Sequence, residues 1–293
     1  MTMNNLFTST LDGEVLANIR QSIAEFLQRC GLQYKNVPLD EAWYSECSQE
    51  AIKRGYPMDA ILPYMPVGVA MVSNAYDHLP NRATKMWMCF FTIICACIDD
   101  MMISGENLVH LYRFNELFAN CQPQGHPVLN AFDGLLREVA CHYSAPASNL
   151  IVTSALDFIS PQAPSYPEYA RMLSGVDYAY AYCVFPATLP PREYVQCIMD
   201  VAMVINYTND ILSYYKEEIQ GDTANYLSLM AASRGLSKQD ALRKLVEKTV
   251  QLHHGILEFL RPRPEAYDAY VAFFNGYFKF HATFGRYKLE EIV

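Results

Sequence analysis

The chain has 293 residues, 52% of them apolar and 18% charged, and 22 Lys and Arg against 31 Asp and Glu give a formal charge of −9. A chain this apolar buries enough surface to offset its conformational entropy, which excludes intrinsic disorder; the negative balance excludes a protein that wraps nucleic acid with a basic stripe. Length admits two domains of ~150 residues or one large one.

Helical periodicity starts near the N-terminus, where Val15, Ile19, Ile23, Phe26 and Cys30 recur at three- and four-residue steps and Gly31 supplies a stop. Similar stretches predict helices near 39–54, 58–78, 82–100, 107–119, 127–142, 148–160, 166–184, 192–219, 238–260 and 264–284. Strand alternation is absent from the pattern. The proline-bearing breaks, Pro161 to Pro164, Pro186 to Pro191 and Pro262 to Pro264, fit short helix connections and not interdomain linkers. The expectation is a single all-α domain over residues 1–293, with N-terminal helices over 1–57 and a core over 58–290.

The longest apolar run, Met86–Ile98, falls well short of the ~20 residues that span a bilayer and reads as a buried helix. The N-terminus lacks a basic segment followed by an apolar one, as a secretory signal requires. Nine cysteines without a CxxC pair point to a reduced, cytoplasmic protein.

Two stretches, Met86–Ile98 and Tyr194–Tyr207, are apolar nearly all round, which places both in the middle of a bundle. Each runs into polar residues of metal-ligand type. Asp99 and Asp100 close the first, at the negative end of the helix dipole and next to each other. A divalent cation would compensate them; so would solvent or a basic partner. The second runs into Asn209-Asp210-Ile211-Leu212-Ser213-Tyr214-Tyr215-Lys216-Glu217. Asn209, Ser213 and Glu217 fall on one helical face with ~12 Å between the outer Cα atoms. All three offer the oxygen that Mg²⁺ prefers, with one negative charge among them, and Lys216 sits beside them within reach of a phosphate. By residue frequencies such a pattern arises by chance in about one chain of this length in two hundred. A solvated polar face is the competing reading, and it fits poorly on a helix otherwise apolar.

The Asp pair ending one buried helix and NDxxSxxKE on another resemble the class I terpene synthases, and most of all the fungal trichodiene synthase group. Ser165-Tyr166-Pro167 ahead of Arg171-Met172, and Gly285-Arg286-Tyr287-Lys288-Leu289, extend the likeness, with a weaker match over Thr153 to Phe158. The resemblance implies a helical bundle around an apolar cavity that ionises farnesyl diphosphate and cyclises the cation with release of diphosphate. It implies that Asp99 ligates Mg²⁺ on one wall while Asn209, Ser213 and Glu217 hold a further Mg²⁺ on the other, three ions in all. Arg171 would sense the diphosphate, and Lys216, Arg286 and Tyr287 would bind its oxygens. Asp100 would serve as an additional ligand or as the partner of Arg286 on closure. A homodimer is expected by the same analogy. The departure is at the aspartate motif, where Met101, Met102, Ile103 and Ser104 follow the pair and the next acid is Glu106. A chain-elongating prenyltransferase and a non-catalytic isoprenoid binder are the alternatives.

Two residue-level expectations follow from helical geometry. Counting back from Asp99 places Ala96, Cys95, Thr92 and Phe91 toward a cavity, and counting back from Asn209 places Asn206, Ile205, Ala202 and Val201, with core packing as the competing reading for each. His253 and His254, being neighbours, point to different faces and read as surface residues rather than metal ligands.

Overall fold

The computed structural model describes residues 11–105, 108–160, 171, 176–283 and 285–293, and among them the regular structure is helical throughout, with no strand. Two helices form the centre. The first, Arg82–Ser104, starts where the Asn81 side chain accepts from the Ala83 and Thr84 amides, and it stops at Gly105, whose φ of 72° ends the helix. Trp87, Phe90 and Phe91 on this helix are fully buried, each removal from water contributing roughly 2–3 kcal/mol. The Trp87 indole donates to the Leu135 carbonyl at 2.9 Å, so its polar atom is satisfied. By length and apolarity this helix could cross a membrane, but 67% of its most apolar window is buried inside the bundle, which accounts for its composition.

The second central helix, Ile198–Gln220, ends at Gly221, whose amide caps the Glu217 and Glu218 carbonyls. It begins later than the periodicity predicts. Pro190 and Pro191 lead into tight turns over Pro191–Glu193 and Val195–Cys197, and Tyr194 at φ −139° interrupts them, so the apolar stretch from Tyr194 is α-helical only from Ile198. Prolines likewise divide the predicted 58–78 helix into Met58–Ile61, a turn at Leu62–Tyr64 and Met65–Asn74, because Pro63 and Pro66 each remove a backbone donor.

Met65–Asn74 packs between Arg82–Ser104 and the C-terminal helix Pro264–Thr283, and two glycines permit it. A Cβ at Gly68 would collide with Ile93 and lie 2.6 Å from the Cys89 carbonyl, and one at Gly276 would run into the Asn74 carbonyl. Gly13–Arg29 covers the outer helix Lys238–Leu260, which in turn packs on Ile198–Gln220. The helix Tyr226–Arg234 was not anticipated, although Asn225 caps its start and Gly235 at φ 62° its end; nine residues give little periodicity to detect. His253 corrects an expectation. It is 5% exposed, stacked on Phe274 at 4.1 Å and hydrogen-bonded to the Tyr270 hydroxyl at 2.9 Å, whereas His254 is exposed. Neighbours do point to different faces, but one of those faces is the core.

Candidate active site

A cavity of about 220 Å³ opens between the two central helices. Asp99 lines it from one side and Asn209 from the other, and Arg171 and Tyr287 also line it. Thr92, Cys95 and Ala96 below Asp99, and Ile205 and Asn206 below Asn209, line it as the helical count predicts. Phe91, Val201 and Ala202 do not; all three are buried in the packing behind. Tyr76, Tyr180, Phe273, Tyr277 and Phe280 supply an aromatic wall.

The aspartate side is open. Asp99 and Asp100 are both exposed, and the Tyr64 hydroxyl donates to Asp100 at 2.8 Å. Asp100 thus meets Tyr64 here, not Arg286. Partial withdrawal from solvent, and then the adjacent Asp100 charge, push the Asp99 carboxyl above its usual range, while Arg171 and Arg286 pull it back. Glu106, Ser165, Tyr166, Pro167 and Met172 lie outside the described residues.

The opposite side is dense. Arg171 forms a two-pronged pair with Asp210, at 2.8 Å and 3.2 Å, and reaches the Asn206 carbonyl at 3.5 Å. Burial lifts the Asp210 carboxyl to about 6 against the stabilising pull of Arg171. Asn209 Nδ2 lies 3.3 Å from His281 Nε2. Ser213 is 3% exposed one turn further along, and Glu217 is half-buried one turn beyond that. Lys216 Nζ stands 3.7 Å from Glu217 and 5.9 Å from the Tyr287 ring; burial lowers the lysine's pKa, with Glu217 opposing. Arg286 is exposed at the rim and Tyr287 buried beneath it.

The cavity thus brings together Asp99, Arg171, Asn209 and Tyr287, while Ser213, Lys216, Glu217 and Arg286 lie outside its lining. No cluster of three His, Cys, Asp or Glu side chains poised for a metal occurs among the described residues. The donors on Ile198–Gln220 are instead an amide, a hydroxyl and one carboxylate, a set of hard oxygens that fits Mg²⁺. Sequence reading assigned no role to Asp177, Asp210 or His281. Asp177 is a buried acid on the cavity wall whose charge acts on Arg171. The detectable signal for Asp210 was an acid inside an apolar helix; for His281 there was none.

The family described as trichodiene synthase (TRI5) matches residues 57–293. The chain belongs to that family. It is 33% identical over 294 residues to alpha-cuprenene synthase COP6 of Coprinopsis cinerea, covering 94% of this chain and 90% of that one. The fold is similar to linalool/nerolidol synthase from Streptomyces clavuligerus, with a TM-score of 0.66 at 14% identity over 85% of this chain and 98% of that one. It is also similar to 2-methylisoborneol synthase from Streptomyces coelicolor in complex with Mg²⁺ and 2-fluoroneryl diphosphate, at a TM-score of 0.58 and 17% identity, covering 86% and 95%. The expected resemblance and the helical bundle fold therefore hold, and the chain is a terpene synthase, a lyase of prenyl diphosphates by class.

Proposed function

We propose that this terpene synthase is a Mg²⁺-dependent sesquiterpene synthase that ionises farnesyl diphosphate and cyclises the resulting cation. The observation that carries the reading is the placement of Asp99 and Asn209 on facing helices across one apolar, aromatic cavity. Asp99 on one side, and Asn209, Ser213 and Glu217 on the other, would hold the metal. Bound there with the substrate, Mg²⁺ would act as a Lewis acid on the departing diphosphate.

The protein's own groups do the rest. Arg171, Lys216, Arg286 and Tyr287 would bring N–H and O–H donors to the oxygens where negative charge develops. Behind the leaving group the chain must fold away from water. The rings of Tyr76, Tyr180, Phe273 and Phe280 turn π-faces or edges toward that space, and a face over a cation contributes ~0.5–2 kcal/mol. Asn206 adds a polar point to this wall: it is 5% exposed, and its Oδ1 has no partner among the described residues.

The reading takes residues 58–290 as the catalytic core behind the N-terminal helices, a homodimer by analogy, and a cytoplasmic setting. The last rests on nine cysteines without a CxxC pair. The test is incubation with geranyl, farnesyl and geranylgeranyl diphosphate, with Mg²⁺ and with chelator. Diphosphate release with hydrocarbon or alcohol from the farnesyl substrate, abolished by chelator, is the expected result. Release without metal, or from another chain length alone, would overturn it.

A further inference from the structure

We infer that His281 is a positioning residue that selects the orientation of the Asn209 side chain, presenting Oδ1 and not Nδ2 to the metal. The inference rests on the reading of Asn209 as a Mg²⁺ ligand. An asparagine is an ambiguous ligand, since its two ends are nearly the same shape and only the oxygen can coordinate. Something in the protein must decide which end faces the ion.

His281 does so through its tautomer. The ring is 0% exposed on Pro264–Thr283, held between Tyr277 and Tyr287 with centroids 4.6 Å from each. Its Nδ1 lies 2.8 Å from the Tyr277 carbonyl oxygen. A carbonyl only accepts, so Nδ1 carries the proton. Its other nitrogen, Nε2, faces an amide nitrogen, which only donates, so Nε2 presents a lone pair. The atom of Asn209 facing that lone pair, at 3.3 Å, is Nδ2. An amide turned by half a rotation would set oxygen against nitrogen lone pair, two acceptors in contact. With Nδ2 directed at His281, the amide has Oδ1 left over.

The test measures Mn²⁺ binding in the presence of inorganic diphosphate by electron paramagnetic resonance, so it does not depend on turnover. His281→Asn is short: its amide keeps the Tyr277 contact but does not reach Asn209. It should weaken Mn²⁺ binding ~10–100-fold, the range for removing a hydrogen bond behind a metal ligand. His281→Gln, whose carbonyl can accept the Asn209 hydrogen, should stay within about threefold of the parent. In the Asn209→Ala background, adding His281→Asn should change nothing further. Parent-like binding by His281→Asn, no recovery in His281→Gln, or an undiminished loss in the Asn209→Ala background would each overturn the inference. If Asn209→Ala itself binds Mn²⁺ as the parent does, the ligand reading falls first and takes this one with it.

Discussion

The two walls of the cavity are built on different principles. At the end of Arg82–Ser104 two carboxylates stand in solvent, with Tyr64 as the hydrogen-bond partner of one, at the helix terminus least favourable to negative charge. On Ile198–Gln220 the polar residues are set into the bundle and tied to partners: Asp210 to Arg171, Asn209 to His281, Lys216 to Glu217. One wall is organised before any ligand arrives, and the other carries repulsion that a bound cation would relieve. Preorganised groups act without reorganisation at the moment of bond cleavage, whereas an open carboxylate pair is suited to capture.

The contrast can be broken most directly by removing the proposed metal ligands from each wall. Glu217→Gln or Ser213→Ala should lower kcat/KM for farnesyl diphosphate on the order of 10³-fold, and Asp99→Asn by on the order of 10²-fold, read from diphosphate release. Equal losses would mean that the aspartate wall is as organised as the other. Next in size is Arg171→Met, which leaves the Asp210 carboxylate buried without its cation. Unfolding in denaturant should show a loss of about 3–5 kcal/mol, largely recovered in Arg171→Met with Asp210→Leu.

A third measurement, remote from both walls, sets the acid baseline. Burial lowers His253 to about 4, and the neighbouring His254 charge adds to the shift. Between pH 6.5 and 4 the unfolded chain binds the proton that the folded one refuses, so stability is full above this window and falls as pH drops through it. The parent should lose roughly 3 kcal/mol across that range from this residue, and His253→Gln should lose correspondingly less. The smallest effect is expected at Tyr64→Phe. Its bond to Asp100 is exposed, so stability should change by less than about 1 kcal/mol in a thermal melt, and a larger loss would show that the open wall is tied down after all.

Legibility followed the range of the interactions. The i, i+4, i+8 spacing of Asn209, Ser213 and Glu217 fixes their common face within one helix, so it could be read without neighbours. The counts back from Asp99 to Thr92 and from Asn209 to Ile205 succeeded for the same reason, and failed at Phe91, Val201 and Ala202, where a neighbouring helix takes up that face. Helix boundaries slipped wherever prolines replaced the α-helix with tighter turns, as before Met65 and before Ile198.

The chain alone therefore determined the helical class, the two central helices, the family likeness and the polar sets that terminate or line those helices, because all of these are periodic or contiguous. Only the tertiary structure decided that Asp99 and Asn209 share one hollow, that Arg171 meets Asp210 across 39 positions, and that His281 lies against Asn209 across 72. Contacts between residues so far apart depend on how helices cross, and close approaches such as that at Gly276 set the crossing. No local pattern encodes it.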